Sequence, residues 1–344
     1  MTLRMKRLWV HELRSKLYRT RYRTFFRLNG GEAKVVDIGC GPYNRDYCAD
    51  PFLFRHNGVN WLFYETLDRN GKGVLGCLKQ DVADGEWENM GIVLDRPWHL
   101  SYPQVFEEGG HIYMIPESCD ASRGYKDCSV TLYEASSFPF GWNEVTTLIK
   151  EPFADSTLYR QGGHYYLSCL RMTPKYKNEL WHSASIRGPW TKHKQSDNGN
   201  QSLRLCRNGG SFQVIDGKLY RIAQDCNGDY GKRVFKVPIL KLSPAEYAEG
   251  AASLMLDDDW PKVSFVHTYN NLRTPDGFLE VIDSRDYVPL PLPQRIFMWA
   301  RIILHTLFRV TIKRKRGFVV QLFGVQIAKG SVKERPALIQ IRLK

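Results

Sequence analysis

The sequence predicts an all-β protein, a five-bladed β-propeller with basic helical N- and C-terminal extensions. Three observations support this prediction. A unit of two hydrophobic segments around a glycine turn recurs along the middle of the chain, aromatic residues make up 13% of the 344 residues, and 28 glycines supply turns. Because aromatic residues favour strands and glycines favour turns, we expect a sheet-rich fold rather than a helical bundle.

The repeat is clearest in three ungapped copies, ADPFLFRHNGVNWLF (49–63), SYPQVFEEGGHIYMI (101–115) and ADSTLYRQGGHYYLS (154–168). Each copy is typical of a β-hairpin, with two alternating strands around a glycine turn. Two weaker copies span 208–225 and 267–283. The turn glycines Gly58, Gly110, Gly163, Gly217 and Gly277 are 52, 53, 54 and 60 residues apart. Further strands at 73–81, 129–135, 180–186 and 233–239 complete four-stranded antiparallel blades. The alternative is a β-sandwich with coincidental hairpins.

Charge divides the chain into three parts. Residues 1–32 carry a formal charge of +7, residues 33–292 carry −5, and residues 293–344 carry +11. We therefore predict a basic amphipathic N-terminal segment (1–32) with a helix over 3–28, the propeller (33–292) and a basic amphipathic C-terminal segment (293–344) with a helix over 296–318. Such ends are typical of attachment to an anionic membrane surface, or they cap open propeller edges. Nucleic acid is not expected as a partner, because its readers carry cations on the folded body.

The cysteines and the N-terminus predict the compartment. The eight cysteines (40, 48, 77, 119, 128, 169, 206 and 226) form no C-x-x-C pair and no zinc-spaced cluster. The first residues lack the clean apolar stretch and small-residue cleavage site that are typical of a secretion signal. We expect reduced cysteines in a cytoplasmic protein that is peripheral on the inner face of the membrane. The segment VVDIGCGP (35–42) is a near match to a methyltransferase glycine motif, but the following residues lack a helical apolar stripe, so we predict a loop there.

Candidate functional residues follow from the geometry of a blade. The start of its first strand and the end of its second strand lie on the same face of a propeller. First-strand starts give Asp50, Tyr102, Asp155, Arg207, Asn208, His267 and Asn270, and second-strand ends give Glu65, Glu117, Gln224 and Asp225. Carboxylates that converge beside aromatic rings such as those of Trp98 and Tyr102 suit chemistry at a sugar acetal. The alternative for each single aspartate is a turn cap at the start of a strand.

These motifs carry a family resemblance. The segments ADPFLF, WLFYE, HLSYPQVF, YMIPES, FADSTLY, GKLYRIAQDCNGDYG and VHTYN resemble the propeller domain at the N-terminus of plant glucosamine inositolphosphorylceramide transferases and of related bacterial polysaccharide-locus proteins. More distantly, the chain is similar to the five-bladed fold of family-43 glycoside hydrolases. The plant proteins carry a separate transferase domain after the propeller, so the resemblance implies a substrate class more than a reaction.

The hydrolase resemblance implies roles for single residues. Asp50 matches the base that opens blade 1, and Asp155 matches the aspartate that opens blade 3. The blade-4 general acid is missing, because Arg207, Asn208 and Gly209 stand there. An arginine suits a phosphate leaving group, which needs no proton, whereas Glu117 would replace the acid if the reaction is hydrolysis.

His267 resembles a histidine near the axial ion of those hydrolases. The resemblance therefore implies a divalent ion near it, and no other cofactor or metal is indicated.

The sequence thus predicts a carbohydrate-active enzyme, a glycosyltransferase that uses a phosphate-linked sugar in cell-surface polysaccharide or glycolipid biosynthesis. Its partners would be a sugar donor, a glycan or lipid-linked acceptor and an anionic membrane surface. The predicted catalytic residues are Asp50, Asp155 and Glu117. The predicted substrate-binding residues are Trp98, Tyr102, Arg207, Asn208, Gln224, Asp225, His267 and Asn270. The alternatives are a family-43-type glycoside hydrolase and a non-catalytic glycan-binding propeller.

Overall fold

The computed structural model describes residues 17–38, 46–81, 85–119, 125, 128–261, 263 and 265–296, and the backbone of 308–313, 317–322 and 325–331. Within them the strands, in chain order, are β1 (Tyr18–Leu28), β2 (Lys34–Val35), β3 (Ala49–His56), β4 (Val59–Leu67), β5 (Gly73–Gln80), β6 (Glu88–Leu94), β7 (Ser101–Glu108), β8 (His111–Glu117), β9 (Val130–Ser137), β10 (Phe140–Ile149), β11 (Phe153–Gln161), β12 (His164–Arg171), β13 (Lys177–Ser183), β14 (Thr191–Lys192), β15 (Arg207–Asn208), β16 (Gln213–Ile215), β17 (Lys218–Gln224), β18 (Val234–Leu242), β19 (Tyr247–Glu249), β20 (Ser253–Leu254), β21 (Tyr269–Thr274), β22 (Gly277–Pro289), β23 (Phe308–Lys313), β24 (Gly317–Leu322) and β25 (Val325–Ser331). A 3-10 helix spans Ser196–Asn198, and residues 292–296 are helical.

Five antiparallel sheets form the propeller, which confirms the predicted fold. Blades 1 to 3 are β3–β6, β7–β10 and β11–β14, and blade 4 contains β15–β20. Blade 5 has the order β2-β1-β22-β21, so it combines strands from both ends of the propeller sequence. The five turn glycines of the repeat all have positive φ, between +72° and +127°, as the hairpin interpretation requires. Each copy of the repeat supplies the first hairpin of one blade, so the repeat spacing predicted the number of blades.

The hydrophobic core lies between neighbouring blades. One cluster joins Phe63 and Leu75 of blade 1 to Met114 and Tyr133 of blade 2. Similar clusters fill the other four interfaces. Each sheet is therefore buried on both faces, which explains why its strands are rich in apolar residues on both sides.

The prediction of a helix over residues 3–28 is wrong for the described part, because Tyr18–Leu28 is a strand. Its sequence alternates with a period of two: the arginines 19, 21 and 23 lie on one face, and Phe26 on the other face packs between blades 5 and 1. Arg21 and Arg23 pair with Asp286, so part of the N-terminal charge is used inside the fold. Residues 1–16 lie outside the described residues.

Arg27 shows the same use of a cation more strongly. Its side chain is only 4% exposed, it forms ion pairs with Asp257 and Glu280, and it stacks on Trp260 at 4.2 Å. These contacts tie the N-terminal strand to blades 4 and 5. This arginine is therefore a structural cation and is not available to a membrane.

Residues 1–20 and 287–344 form a second compact unit, apart from residues 21–286. Its described sheet is antiparallel, in the order β23-β24-β25. The helix predicted over 296–318 is therefore wrong for 308–313 and 317–318, whereas residues 297–307 lie outside the described residues. No helix among the described residues is long and apolar enough to cross a membrane.

Candidate functional site

The first strands of blades 1 to 3 begin with the same unusual backbone conformation at the base of the site. Asp50, Tyr102 and Asp155 each lie at a β-bulge and have positive φ, between +46° and +50°. This left-handed conformation is unfavourable for residues with a Cβ, so it must be held by specific contacts. Asp50 N–H donates to Asp283 (3.0 Å), Tyr102 N–H to Asp50 (3.2 Å) and Asp155 N–H to Glu117 (3.0 Å). The bulges thus connect each blade to a carboxylate of the preceding one.

Glu117, Asp155 and Arg207 form a first cluster, called here the arginine cluster. The Arg207 guanidinium donates to both Asp155 carboxylate oxygens, and its Nη2 lies 3.9 Å from Glu117 Oε2. Gln224 Nε2 also donates to Asp155 at 3.1 Å, and the Arg207 guanidinium stacks on Tyr230 at 4.9 Å. The structure therefore brings together four of the predicted site residues, Glu117, Asp155, Arg207 and Gln224, whose roles stay predictions.

The pKa of Glu117 lies well above its ordinary value. Burial is the largest cause, the negative charge of Asp155 adds to it, and Arg207 opposes it. A raised pKa favours the protonated form of a carboxyl group, which is the form that can donate a proton. Glu117 therefore has the chemistry of a general acid, although it belongs to blade 2.

A cavity of about 320 Å³ opens beside the arginine cluster. Its described lining residues are Leu170, Tyr176, Leu203, Cys206, Arg207, Cys226, Gly228, Asp229 and Tyr230. This volume lies at the small end of the range for small-molecule sites. Arg207 is the predicted substrate-binding residue that reaches the cavity wall, and its side chain keeps 16% of its exposure. The cavity wall thus includes the cationic Arg207, whose guanidinium pairs with Asp155.

Asp50, His267 and Asp283 form a second cluster across the junction of blades 5 and 1, called here the blade 5–1 cluster. His267 Nδ1 lies 2.6 Å from Asp283, and Nε2 lies 3.4 Å from Asp50. Thr268 Oγ1 donates to Asp50 at 2.8 Å. Asp283 also accepts the backbone N–H groups of residues 267 and 268. All three members of the cluster are buried.

Charges within this cluster shift its pKa values. Burial raises the pKa of Asp50 to about 7, with His267 opposing and Glu65 contributing. The pKa of His267 rises to about 9: burial alone would lower it, but Asp283 and Asp50 more than compensate. A carboxylate with a pKa of about 7 is poised to act as a base near neutral pH. The role of Asp50 as a base stays a prediction.

The same three side chains offer a donor set for a metal ion. One ligand atom from each lies within 4.8 Å of the others, and two carboxylates with an imidazole suit a divalent cation. This agrees in position with the ion expected near His267. The ion itself stays a prediction.

Aromatic rings surround His267. Tyr22 lies 5.1 Å from its ring and Tyr230 lies 5.2 Å from it, and Tyr47 packs on Tyr22 at 4.8 Å. Tyr230 thus contacts both His267 and Arg207. The aromatic residues beside the blade 5–1 cluster are therefore these tyrosines rather than Trp98.

Tyr102, Asn208 and Asn270 have structural contacts in place of the substrate contacts predicted for them. Tyr102 is fully buried, and its hydroxyl accepts Gly210 N–H (2.7 Å) and lies 2.9 Å from Thr157 Oγ1. Asn208 Nδ2 donates to the Asp155 carbonyl (2.8 Å), and Asn270 Nδ2 donates to the Pro51 carbonyl (2.7 Å). These side chains connect blades across the propeller axis and expose almost nothing to a ligand.

Two further predicted residues lie at the edge of the site. Trp98 is half-buried and packs on the core between blades 1 and 2. Asp225 lies beside the cavity residue Cys226 and is 3.5 Å from Arg204. Neither belongs to the two clusters.

The sequence prediction missed Asp283, Tyr22 and Tyr230. Asp283 ends the second strand-like segment of blade 5, so the rule that selected Glu117 would have found it. Tyr22 lay in a segment interpreted as a helix, and Tyr230 lies in a loop, for which strand register predicts no orientation.

Cys119 and Cys128 form a disulfide, with Cα atoms 4.7 Å apart. The expectation of reduced cysteines is therefore wrong for this pair, whose Cα separation lies in the usual range for a disulfide and whose members are nine residues apart in the sequence. Cys48, Cys77, Cys169, Cys206 and Cys226 are free thiols, whereas residue 40 lies outside the described residues. The disulfide begins two residues after Glu117, so it closes the connection that follows the candidate acid.

Residues 33–287 match the family model described as "Glucosamine inositolphosphorylceramide transferase 1, N-terminal". The chain belongs to this family. It is 39% identical over 270 residues to glucosamine inositolphosphorylceramide transferase 1 of Arabidopsis thaliana, and 35% identical over 262 residues to that of Oryza sativa subsp. japonica. These alignments cover 75% and 72% of this chain. The chain spans about a third of the length of these relatives, 34% in both cases.

Solved structures show the same fold. An α-L-arabinofuranosidase from Lactobacillus brevis matches with a TM-score of 0.50 and 14% identity, over 68% of this chain and 82% of its own. A family-43 β-xylosidase/α-arabinofuranosidase from a compost microbial metagenome matches with a TM-score of 0.50 and 12% identity, over 78% and 96%. At this identity the likeness extends to the fold alone.

Proposed function

We propose that this propeller is a glycosyltransferase that moves a sugar from a phosphate-linked donor to a glycan or lipid-linked acceptor. The observation that carries the proposal is the Arg207 guanidinium at the cavity wall, where family-43 hydrolases are expected to place a general acid. The names of the plant relatives support a transferase acting on an inositolphosphorylceramide. The biosynthetic role in cell-surface polysaccharide or glycolipid assembly belongs to the same proposal.

In the proposed reaction, the arginine cluster serves the donor. Arg207 pairs with the leaving phosphate, and its planar guanidinium suits two phosphate oxygens at once. Asp155 holds that guanidinium through both carboxylate oxygens, so it orients Arg207 rather than reacting itself. Gln224 supports the Asp155 carboxylate from the other side.

The blade 5–1 cluster serves the acceptor in this proposal. Asp50, with its pKa of about 7, accepts the proton of the attacking hydroxyl group. Asp283 holds His267, and His267 in turn lies against Asp50, so the base keeps one orientation. A divalent ion bound by these three residues would supply further positive charge for the acceptor.

Hydrolysis is the second candidate, and Glu117 is the observation that favours it. Its raised pKa and its position beside Asp155 give the site an acid that an unactivated glycoside would need. The third alternative is a propeller that only binds glycan. Such a protein would use the cavity for binding, and substitution of Glu117 would remove no catalytic activity.

A donor panel distinguishes these functions. The full chain is incubated with nucleotide sugars, a lipid-phosphate sugar and aryl glycosides, with and without acceptor. Arg207→Ala should weaken donor binding and turnover while acceptor affinity stays unchanged, because its charge serves the donor only. Arg160→Ala is the matched control, since this exposed arginine pairs with Glu108 near the opposite ends of the strands. Efficient cleavage of aryl glycosides by the wild type, with no phosphate-linked sugar required, would overturn the choice of a transferase over a hydrolase.

The roles of Asp50 as the base and of Asp155 as the residue that orients Arg207 have their own test. Asp50→Asn and Asp155→Asn should each abolish turnover and leave a folded protein. Retained turnover in either variant contradicts the role given to that residue.

The proposed location follows the sequence prediction of a cytoplasmic protein on the inner face of a membrane. The Cys119–Cys128 pair provides the test of this location, because disulfides persist in oxidising compartments and are rare in the cytosol, so a pair found oxidised in the cell would contradict it. Alkylation of free thiols in freshly lysed cells, followed by mass analysis of this pair, decides the point.

A further inference from the structure

Three loops of blades 3 and 4 surround the mouth of the cavity. They are residues 172–176 between β12 and β13, residues 199–206 before β15, and residues 225–233 between β17 and β18. All three follow a second strand or precede a first strand, so they lie on the same face as the carboxylates. We call these loops the lip.

The lip exposes two large apolar side chains. Leu203 is 52% exposed and Tyr176 is 45% exposed, and both also line the cavity. Apolar groups that rim a binding site mark a surface that is covered in use. Leucine gains from entering the acyl region of a bilayer, and tyrosine is typical of the membrane–water interface.

Cations accompany these apolar groups. The lip contains four basic residues, Lys175, Arg204, Lys232 and Arg233, against two carboxylates, Asp225 and Asp229. Each carboxylate already has a basic partner: Arg204 lies 3.5 Å from Asp225, and Arg285 lies 3.0 Å from Asp229. The lip therefore presents positive charge beside apolar side chains, which is the pattern that binds anionic bilayers.

We propose that the lip docks on an anionic lipid bilayer, with Leu203 and Tyr176 in the interfacial layer. This inference rests on the proposed function for the identity of the acceptor, and it adds the surface that meets the lipid. In this orientation the cavity opens onto the headgroups, and Arg207 lies directly behind the lip. Attachment through the basic ends of the chain alone is the alternative that the experiment distinguishes.

The experiment compares two aspartate variants of the full chain in vesicle co-sedimentation. The vesicles are an equal mixture of phosphatidylcholine and phosphatidylserine, with phosphatidylcholine alone as the reference. Leu203→Asp places a charge in the lip. Val214→Asp is the matched control, because Val214 is 57% exposed, lies in the same blade and precedes the turn at Gly217 on the opposite face. Both variants change the net charge equally.

Leu203→Asp should bind the anionic vesicles about tenfold more weakly than wild type, because an apolar side chain that enters the interface is replaced by one that anionic lipid repels. Val214→Asp should bind like the wild type. The apolar part of this difference should persist at about 1 M salt, where a Debye length of about 3 Å screens the cations of the lip as well as the basic ends. Thermal melts of both variants confirm that they are folded.

Equal vesicle binding by Leu203→Asp and Val214→Asp overturns the proposal, whether both bind or neither does. The vesicles contain neither sugar donor nor acceptor, so this result is independent of glycosyl transfer. Transfer to a water-soluble acceptor tests the proposed function separately: turnover with no effect of Leu203→Asp on vesicle binding would sink only the docking inference.

Discussion

Replacing Arg221 by methionine should destabilise the propeller by about 3–5 kcal/mol at pH 7. The Arg221 side chain is fully buried in blade 4 and donates to both carboxylate oxygens of Glu249, at 2.6 and 3.0 Å. It also donates to Asn208 Oδ1 at 3.2 Å, and Asn208 in turn holds the Asp155 carbonyl. Methionine fills much of the volume but leaves the Glu249 charge unpaired.

The magnitude follows from the protonation of Glu249. Although burial alone would raise it, Arg221 lowers the pKa of Glu249 below its ordinary 4.5. Without Arg221, the buried carboxyl group takes up a proton on folding, which at pH 7 is about 2.5 pH units above that ordinary value and costs about 3 kcal/mol. The lost hydrogen bonds to Asn208 and to the Leu205 carbonyl add about 1 kcal/mol or more.

Urea unfolding at pH 7 and pH 5 measures the effect. A carboxylate with a lowered pKa stabilises the fold above its unfolded pKa, and this contribution is lost as the pH falls. The deficit of Arg221→Met should therefore shrink toward pH 5. The double variant with Glu249→Gln should recover much of the loss, because no charge remains buried. A deficit below about 1 kcal/mol, or one that stays constant with pH, refutes the reasoning.

Four further predictions concern the site and its surroundings. Glu117→Gln should slow hydrolysis about 10²–10⁴-fold, and the wild-type rate of hydrolysis should fall as the pH rises through the raised pKa of this acid. Transfer from a phosphate donor should barely respond to either change, because a phosphate leaving group needs no proton. An equal loss of rate in both reactions would contradict this division of roles. Reduction of the Cys119–Cys128 disulfide should lower the unfolding free energy by about 2–3 kcal/mol, and an unchanged urea midpoint would show that the bond adds nothing. Calorimetry should detect Ca²⁺ or Mn²⁺ binding that Asp283→Asn abolishes; no binding heat in the wild type means that the blade 5–1 cluster holds no divalent ion. Neutral glutamines at residues 313–316 should weaken binding to anionic vesicles about tenfold or more at low salt, and unchanged binding would remove the C-terminal charge from the attachment.

The test of the terminal charge uses substitutions rather than truncation of the ends. Removal of residues 1–32 would delete Tyr18–Leu28, the strand that closes blade 5, and would break the fold together with the charge. Substitution within residues 313–316 changes charge without removing any strand of the propeller.

The sequence predicted the blades because the signals for each hairpin are local in the sequence. A glycine with positive φ at Gly58 or Gly110 fixes the turn, and alternation fixes which face each neighbour occupies. Strand register then placed Asp50 and Asp155 on one face. It could not show that Tyr102 lies buried between blades, because the bulge that turns its backbone is a property of the packed ring.

The N-terminal strand was harder to recognise. Tyr18–Leu28 alternates cations and other residues with a period of two, but the cations suggested a surface helix. Their partners, Asp286, Asp257 and Glu280, lie more than 220 residues away in the sequence. Such partners become visible only in the folded chain.

The composition of blade 5 has a consequence for how the protein gains and loses its activity. One half of this blade comes from the beginning of the propeller sequence and the other from its end, so the ring closes only when distant parts of the chain meet. His267 and Asp283 lie on one side of that closure and Asp50 on the other. During synthesis the cluster cannot assemble before the last hairpin is available. Under mild denaturation, opening of the junction between blades 5 and 1 would separate the three residues of the blade 5–1 cluster while the other four blades remain paired. Inactivation would then precede unfolding of the whole propeller.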